Sequence, residues 1–168
     1  MPEILFDTCC LSNFALCDSL FILNKLYGRS AYITEFVSAE ISRGIQQGHK
    51  DLTKIQVSIK EGWIGELSLI TAEEKTLFEA LSVSLGLGEA SSIAIAKTRR
   101  FLFASDDRTA RREASYLDIQ ITGTLGILKK AVLSNHIEQK KGDVILAKWS
   151  SLGFYSPIDS LGKIKIKD

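Results

Sequence analysis

Phe101-Leu102-Phe103-Ala104-Ser105-Asp106-Asp107-Arg108 is the stretch that decides the fold. Four apolar residues in a row read as a buried strand. Ser105-Asp106-Asp107 ends it and opens a helix carrying Arg111, Ala114 and Leu117. The same succession of strand, acid and helix stands near the start of the chain. Ile4-Leu5-Phe6 ends at Asp7, and residues 11–27 follow with apolar positions at Leu11, Phe14, Ala15, Leu16, Leu20, Leu23 and Leu26, which suits one or two helices. Ala31-Tyr32-Ile33 is a second short strand, and Thr34 can cap a helix through Glu40 and Ile41 to about Ile45. A polar helix is expected near 50–60 and a weaker extended segment from Trp63-Ile64. Thr71-Ala72-Glu73-Glu74 is a capping box opening a helix through Leu77, Ala80 and Leu81. Gly86 and Gly88 are expected to break that helix, with another from Glu89 to about Thr98. Ile119-Gln120-Ile121 reads as a strand, Gly123-Thr124 as the start of a helix through Leu128 and Val132, and 143–152 as a last helix stopped by Gly153. Strands alternating with helices across short turns predict an α/β fold with a largely parallel sheet. In such sheets ligands sit outside the carboxyl ends of the strands.

Composition agrees with a globular chain. Of 168 residues, 45% are hydrophobic and 24% charged, which excludes disorder as the main state. No Pro/Ser/Gly linker divides the sequence, so one domain over 1–168 is expected. Apolar runs such as Leu20 to Leu23 fall far short of a membrane span of roughly 20 residues. Met1-Pro2-Glu3 lacks the start of a signal peptide, so a soluble, cytoplasmic protein with no membrane partner is expected. Cys9, Cys10 and Cys17 form no CxxC and suggest small hydrophobes rather than a disulfide framework or zinc ribbon. His49 and His136 have no ligand-like spacing.

The net charge of +1 conceals a split. Residues 1–96 hold 7 Lys+Arg against 12 Asp+Glu, whereas residues 97–141 hold 10 against 5. The basic segment includes Arg108, Arg111, Arg112, Lys129 and Lys130. It can track a phosphate backbone or be a solvated helix face. Arg108 and Arg111, or Arg108 and Arg112, can share one helical face. Guanidinium forks suit RNA phosphates, while a bridge from Arg111 or Arg112 to a nearby acid would only support the fold.

Two strands end in carboxylates, Asp7 and the pair Asp106 and Asp107. Two further acids, Glu40 and Glu89, lie beside apolar helical positions. Each has a plain structural reading: Asp7 and Asp107 as helix N-caps, Glu89 as a first-turn partner of the helix dipole, Glu40 in a salt bridge with Arg43. Gathered on one edge of a parallel sheet, they would repel unless a cation neutralised them. Hard oxygen ligands with no Cys–His set point to Mg²⁺ or Mn²⁺, which hold phosphates and activate water.

Asp7-Thr8, Val37-x-x-Glu40-Ile41, Leu87-Gly88-Glu89-Ala90 and Ser105-Asp106-Asp107-Arg108-x-Ala110-Arg111 resemble the acidic motifs of the PIN-domain nucleases. Ile121-x-Gly123-Thr124-Leu125-Gly126-x-Leu128 is similar to the branch of VapC-type toxins. The resemblance implies a three-layer α/β/α sandwich with a central, mostly parallel sheet. It also implies Mg²⁺/Mn²⁺-dependent RNA cleavage, homodimers and a small antitoxin partner. By this likeness Asp7, Glu40, Glu89 and Asp107, or its neighbour Asp106, are the metal-binding and catalytic acids, with Thr8 and Ser105 as supporting hydroxyls. Cys9 stands where many PIN domains have Asn, and Thr34 near a usual Pro. A wide apolar face at Phe14, Leu20, Phe21 and Leu23 suits either a dimer contact or a buried core helix. The late Asp pair argues against a receiver domain, and Asp7-Thr8-Cys9 lacks the Asp-x-Asp of a haloacid-dehalogenase-type phosphatase. The remaining rival is a non-catalytic RNA-binding or scaffolding module.

Overall fold

The computed structural model describes residues 2–163. Five strands form one sheet: β1 (Ile4–Phe6), β2 (Ala31–Thr34), β3 (Ile64–Leu67), β4 (Leu102–Ala104) and β5 (Ile121–Thr122). Their order is β3-β2-β1-β4-β5, and every neighbouring pair is parallel. The chain winds outward from β1 through β2 to β3, then returns to β1's other side as β4. The crevice between the carboxyl ends of β1 and β4 is therefore the switch point of the topology, where open parallel sheets bind ligands. Phe6 pairs with Ala104 there, one residue before Asp7 and Ser105.

Among the described residues, nine helices connect and flank the strands: α1 (Thr8–Leu16), α2 (Leu20–Tyr27), α3 (Glu35–Gln46), α4 (Thr53–Lys60), α5 (Ala72–Leu81), α6 (Leu87–Arg99), α7 (Arg108–Tyr116), α8 (Thr124–Leu133) and α9 (Gln139–Ser151). Side chains alternate along each strand, so the sheet feeds two cores. Ile4, Phe6, Ile33 and Ala104 pack with residues of α1, α2, α8 and α9; Leu5 and Phe103 pack with residues of α5, α6 and α7. This is the expected α/β/α sandwich. Each fully buried Leu, Ile or Phe contributes roughly 1.5–3 kcal/mol.

Several element boundaries differ from the sequence reading. Residues 11–27 form two helices, and α1 begins at Thr8 because Asp7 caps it. Gly88 lies inside α6, which starts at Leu87 with Gly86 as N-cap. Ile119 is not in the sheet: its N–H closes the end of α7 on Ala114 O at 3.0 Å, past Asp118 in a left-handed conformation, leaving β5 only two residues. The last helix starts four residues early, at Gln139, just after the turn at Ser134–Asn135. Phe14, Leu20 and Leu23 are buried in the core, so they offer no apolar face to a second copy. Phe21 is half-buried, with Lys141 Nζ at 4.5 Å and Lys25 Nζ at 5.6 Å from its ring centre. Among the described residues no single helix is long and apolar enough to cross a membrane.

One ion pair fixes α5 to α6. Glu74, only 1% exposed, accepts from Arg99 Nε at 2.7 Å and Nη2 at 3.2 Å, from Thr98 Oγ1 at 3.1 Å, and from the N–H of Ile70 and Thr71. The capping box at Thr71 thus doubles as a buried anion site. The Arg99 hydrogen bonds, opposed by burial, hold the Glu74 carboxyl down at about 2. A depressed carboxylate stabilises the fold above its unfolded value near 4.5 and loses that contribution as pH falls toward 2. Glu74→Gln should therefore lower stability by about 3 kcal/mol at neutral pH, because Arg99 loses its counter-charge and keeps only neutral acceptors such as Ser68 O. In denaturant titrations the gap from wild type should narrow between pH ~4.5 and ~2.

Candidate active site

Every strand on the crevice side of the sheet runs into a helix through a capping residue. Asp7 caps α1, Thr34 caps α3, Asp107 caps α7 and Gly123 precedes α8. Orphan N–H groups at helix starts want an acceptor, and Asp and Thr supply one. The local rule that ends each strand thereby lines the crevice with oxygen.

Asp7 is the most constrained of these groups. It is 2% exposed, accepts from Cys10 N–H at 2.7 Å on Oδ1 and from the Ser105 hydroxyl on Oδ2. Burial pushes its carboxyl up to about 7; the two hydrogen bonds oppose the shift, and the charges of Asp106 and Glu89 add to it. Ser105 is fully buried and also accepts from Asp107 N–H at 3.1 Å, so one hydroxyl ties the ends of β1 and β4 together.

Glu40 reaches the same crevice from α3. Its Oε2 accepts from the Thr8 hydroxyl, and its Oε1 accepts from Gly88 N–H at 3.2 Å. Among the described residues Glu40 makes no ion pair with Arg43. Gly88 is glycine for a steric reason: a Cβ there would stand 2.7 Å from both Glu40 oxygens. Glu89 reaches back to Gly86 N–H at 3.3 Å through Oε2. Its carboxyl is raised by burial, then by the neighbouring charge of Asp107, and further by Glu40.

Asp106 and Asp107 divide the last position between them. Asp107 is exposed and accepts from Ala110 N–H at 2.8 Å. Asp106 is half-buried and clamped, accepting from Thr124 N–H at 2.9 Å, the Thr124 hydroxyl and Asn13 Nδ2 at 3.2 Å. A Cβ on Gly123 would come within 2.6 Å of Asp106 Oδ1. Asn13, Thr124 and Trp149 were not singled out as site residues from sequence. The signal for Asn13 was present, as an amide set among Leu11, Phe14, Ala15 and Leu16 on a core helix.

The arginines separate. Arg108 is exposed and lines the groove beside the acids. Arg111 is committed to the fold: its Nη1 donates to Ser105 O and Thr122 O, both at 2.8 Å, joining the ends of β4 and β5. The supporting role weighed for it is therefore present, with backbone carbonyls rather than acids as partners, and the side chain also lines the groove beside Arg108. Arg112 is exposed on α7 but is not among the groove-lining residues. The exposed Cys9 thiol is raised by burial first and then by Asp7, Asp106, Asp107 and Glu89, which places it within the field of four carboxylates.

The donor chemistry suits a hard divalent cation: all oxygen, mutually repelling, with Glu89 Oε1 and Asp107 Oδ2 without hydrogen-bond partners among the described residues. Among the described residues, no three His, Cys, Asp or Glu side chains stand close enough together to close on one ion. The acids form a negative rim whose members are held by hydrogen bonds, rather than a closed cage.

A parallel α/β/α sandwich with carboxylates at its switch point defines an α/β domain with an acidic crevice. A model of the PIN domain family matches residues 3–167, and the chain belongs to that family. PIN domains are generally nucleases and typically use divalent metal ions. No curated protein matches the chain.

The raised carboxyl of Asp7 has a thermodynamic signature. A carboxyl raised in the folded state contributes fully below its unfolded value near 4, and that contribution is lost as pH rises through about 7. In Asp7→Asn the amide keeps the Cys10 bond and donates to the Ser105 hydroxyl. With chelator present, the melting temperature of Asp7→Asn relative to wild type should rise by a few degrees between pH ~4 and ~7.5. A constant difference would mean that Asp7 ionises normally.

Proposed function

We propose that the protein is an Mg²⁺- or Mn²⁺-dependent endoribonuclease, and that it is the toxin of a toxin–antitoxin pair restrained by a small antitoxin protein. The observation that carries the nuclease reading is the gathering of Asp7, Glu40, Glu89, Asp106 and Asp107 around the β1/β4 switch point, with Asp7 buried and its proton affinity raised first by that burial and then by Asp106 and Glu89. The likeness of Ile121-x-Gly123-Thr124-Leu125-Gly126-x-Leu128 to VapC-type toxins supports the second part.

When bound, the metal ion supplies charge neutralisation at the scissile phosphate and a water of lowered pKa. Asp7, Glu89 and Asp107 are the residues that would hold it by drawing in from the rim they form, with Glu40 and Asp106 beside them. Ser105 fixes Asp7, and Thr8 with Gly88 fixes Glu40, so these two carboxylates are held before substrate arrives. Glu89 has a raised proton affinity and an oxygen, Oε1, with no hydrogen-bond partner. It is the group suited to accept the proton of the attacking water.

Incubation of a mixed RNA pool with Mg²⁺, Mn²⁺ or chelator tests the reading. Cleavage should require metal and fall by at least ~100-fold in Glu89→Gln. Intact RNA bound by wild type in every condition would favour the non-catalytic module instead. Gly88→Ala separates site from fold. The added methyl must displace the Glu40 carboxylate, the far end of a flexible side chain, while alanine is the better helix former. Cleavage should fall about tenfold or more while the melting temperature stays within about 2 °C of wild type. Growth arrest on expression, relieved by Asp7→Asn, is the expected result for a toxin.

A further inference from the structure

The crevice opens on one side into a groove of about 930 Å³, a size that admits a nucleotide-scale ligand. Its acidic end is Asp106 beside Asn13. Arg108 and Lys129 line it, from the starts of α7 and the middle of α8. The chain segment after α9 closes the far side with Leu152, Phe154 and Tyr155. Tyr155 is 84% exposed and Leu152 56%. Neither ring nor hydroxyl of Tyr155 has a partner among the described residues.

This exposed ring sits on a rigid base. Phe154 packs on Trp149 at 5.7 Å between ring centres, and its N–H donates to Trp149 O at 3.0 Å. Trp149, 1% exposed, meets Phe14 edge-on at 5.0 Å and donates from Nε1 to Asn13 O at 2.7 Å. Asn13 in turn holds Asp106. Tyr155 is thus one residue beyond an aromatic stack anchored to an acid of the site. A solvent-facing ring one residue from a rigid base, sharing one groove with Arg108 and Lys129, has the composition of a surface for unpaired nucleotides: bases stack on the ring, and phosphates meet Arg and Lys. Acidic protein segments would use the cations and leave the ring unexplained.

We infer that Tyr155 is a stacking platform for an unpaired base of the RNA next to the cleaved bond, with Arg108 and Lys129 holding the adjoining phosphates. The inference rests on the ribonuclease reading and assigns to it a residue that binds a base. It keeps Arg108 among the expected basic contacts and adds Lys129.

A twelve-nucleotide unpaired RNA carrying one 2-aminopurine, and its duplex, are the probes. Wild type should quench the 2-aminopurine fluorescence and cleave the single strand in preference to the duplex. Tyr155→Ala should abolish the quench and raise KM about tenfold with kcat within about twofold, and Tyr155→Phe, which keeps the ring, should restore both. Lys129→Gln should raise KM and make its salt dependence shallower. Melting temperatures should not move, since both side chains lie on the surface. Cleavage of RNA by wild type with the same KM in Tyr155→Ala, or equal cleavage of duplex, overturns the inference and leaves the nuclease reading standing. Absence of both binding and cleavage in wild type overturns the nuclease reading, and the inference with it.

Discussion

A carboxylate that water hardly reaches organises this molecule. Asp7 ends the central strand, starts the first helix and is gripped by Ser105 from the neighbouring strand. Burying an anion without a counter-charge is unfavourable, and other acids nearby make it more so. The fold tolerates Asp7 because two hydrogen bonds satisfy its oxygens and because its proton affinity is free to rise. Much of the remaining architecture serves that arrangement. Arg111 holds the ends of β4 and β5 together below it, and α8 presents its first N–H to Asp106. Glycine at 88 and 123 leaves room for the carboxylates of Glu40 and Asp106.

The structural and chemical readings of the acids prove compatible rather than rival. Asp7 and Asp107 are N-caps, and Glu89 is a first-turn acid bonded to Gly86. A cap engages one oxygen of a carboxylate and leaves the other, so helix starts are economical places to collect ligating groups. Asp7 and Asp106 are the contrast: Cys10 and Ser105 occupy both oxygens of Asp7, and Thr124 and Asn13 both of Asp106. The two adjacent aspartates have divided the work: Asp107 is the outward acid and Asp106 the inward anchor.

What could be read from sequence followed from local rules. Strand, acid and cap are successive residues, so β1, β2 and β4, the capping box at Thr71, and the order of Asp7, Glu40, Glu89 and the Asp106–Asp107 pair were all legible. What could not be read depends on partners distant in sequence. Gly88 looks like a helix breaker until Glu40 is seen against it, 48 residues away in the chain. Arg111 looks like a solvent-facing cation until the carbonyls of Ser105 and Thr122 are placed on either side of it. Phe14, Leu20 and Leu23 look like surplus apolar surface until the last helix brings Trp149 onto Phe14. Ile119 has strand character, yet the closure of α7 claims its N–H.

The bond from Trp149 to Asn13 spans 136 positions of the chain. Ribosomes release a polypeptide from its N-terminus, and the sheet's five strands are all made by residue 122. The prop behind Asn13, and through it Asp106, comes from the final helix. A growing chain can therefore pair its strands while this part of the crevice still lacks its backing. The geometry is completed only once residue 149 has been made and docked, so the acidic crevice acquires its backing later than the strands that frame it.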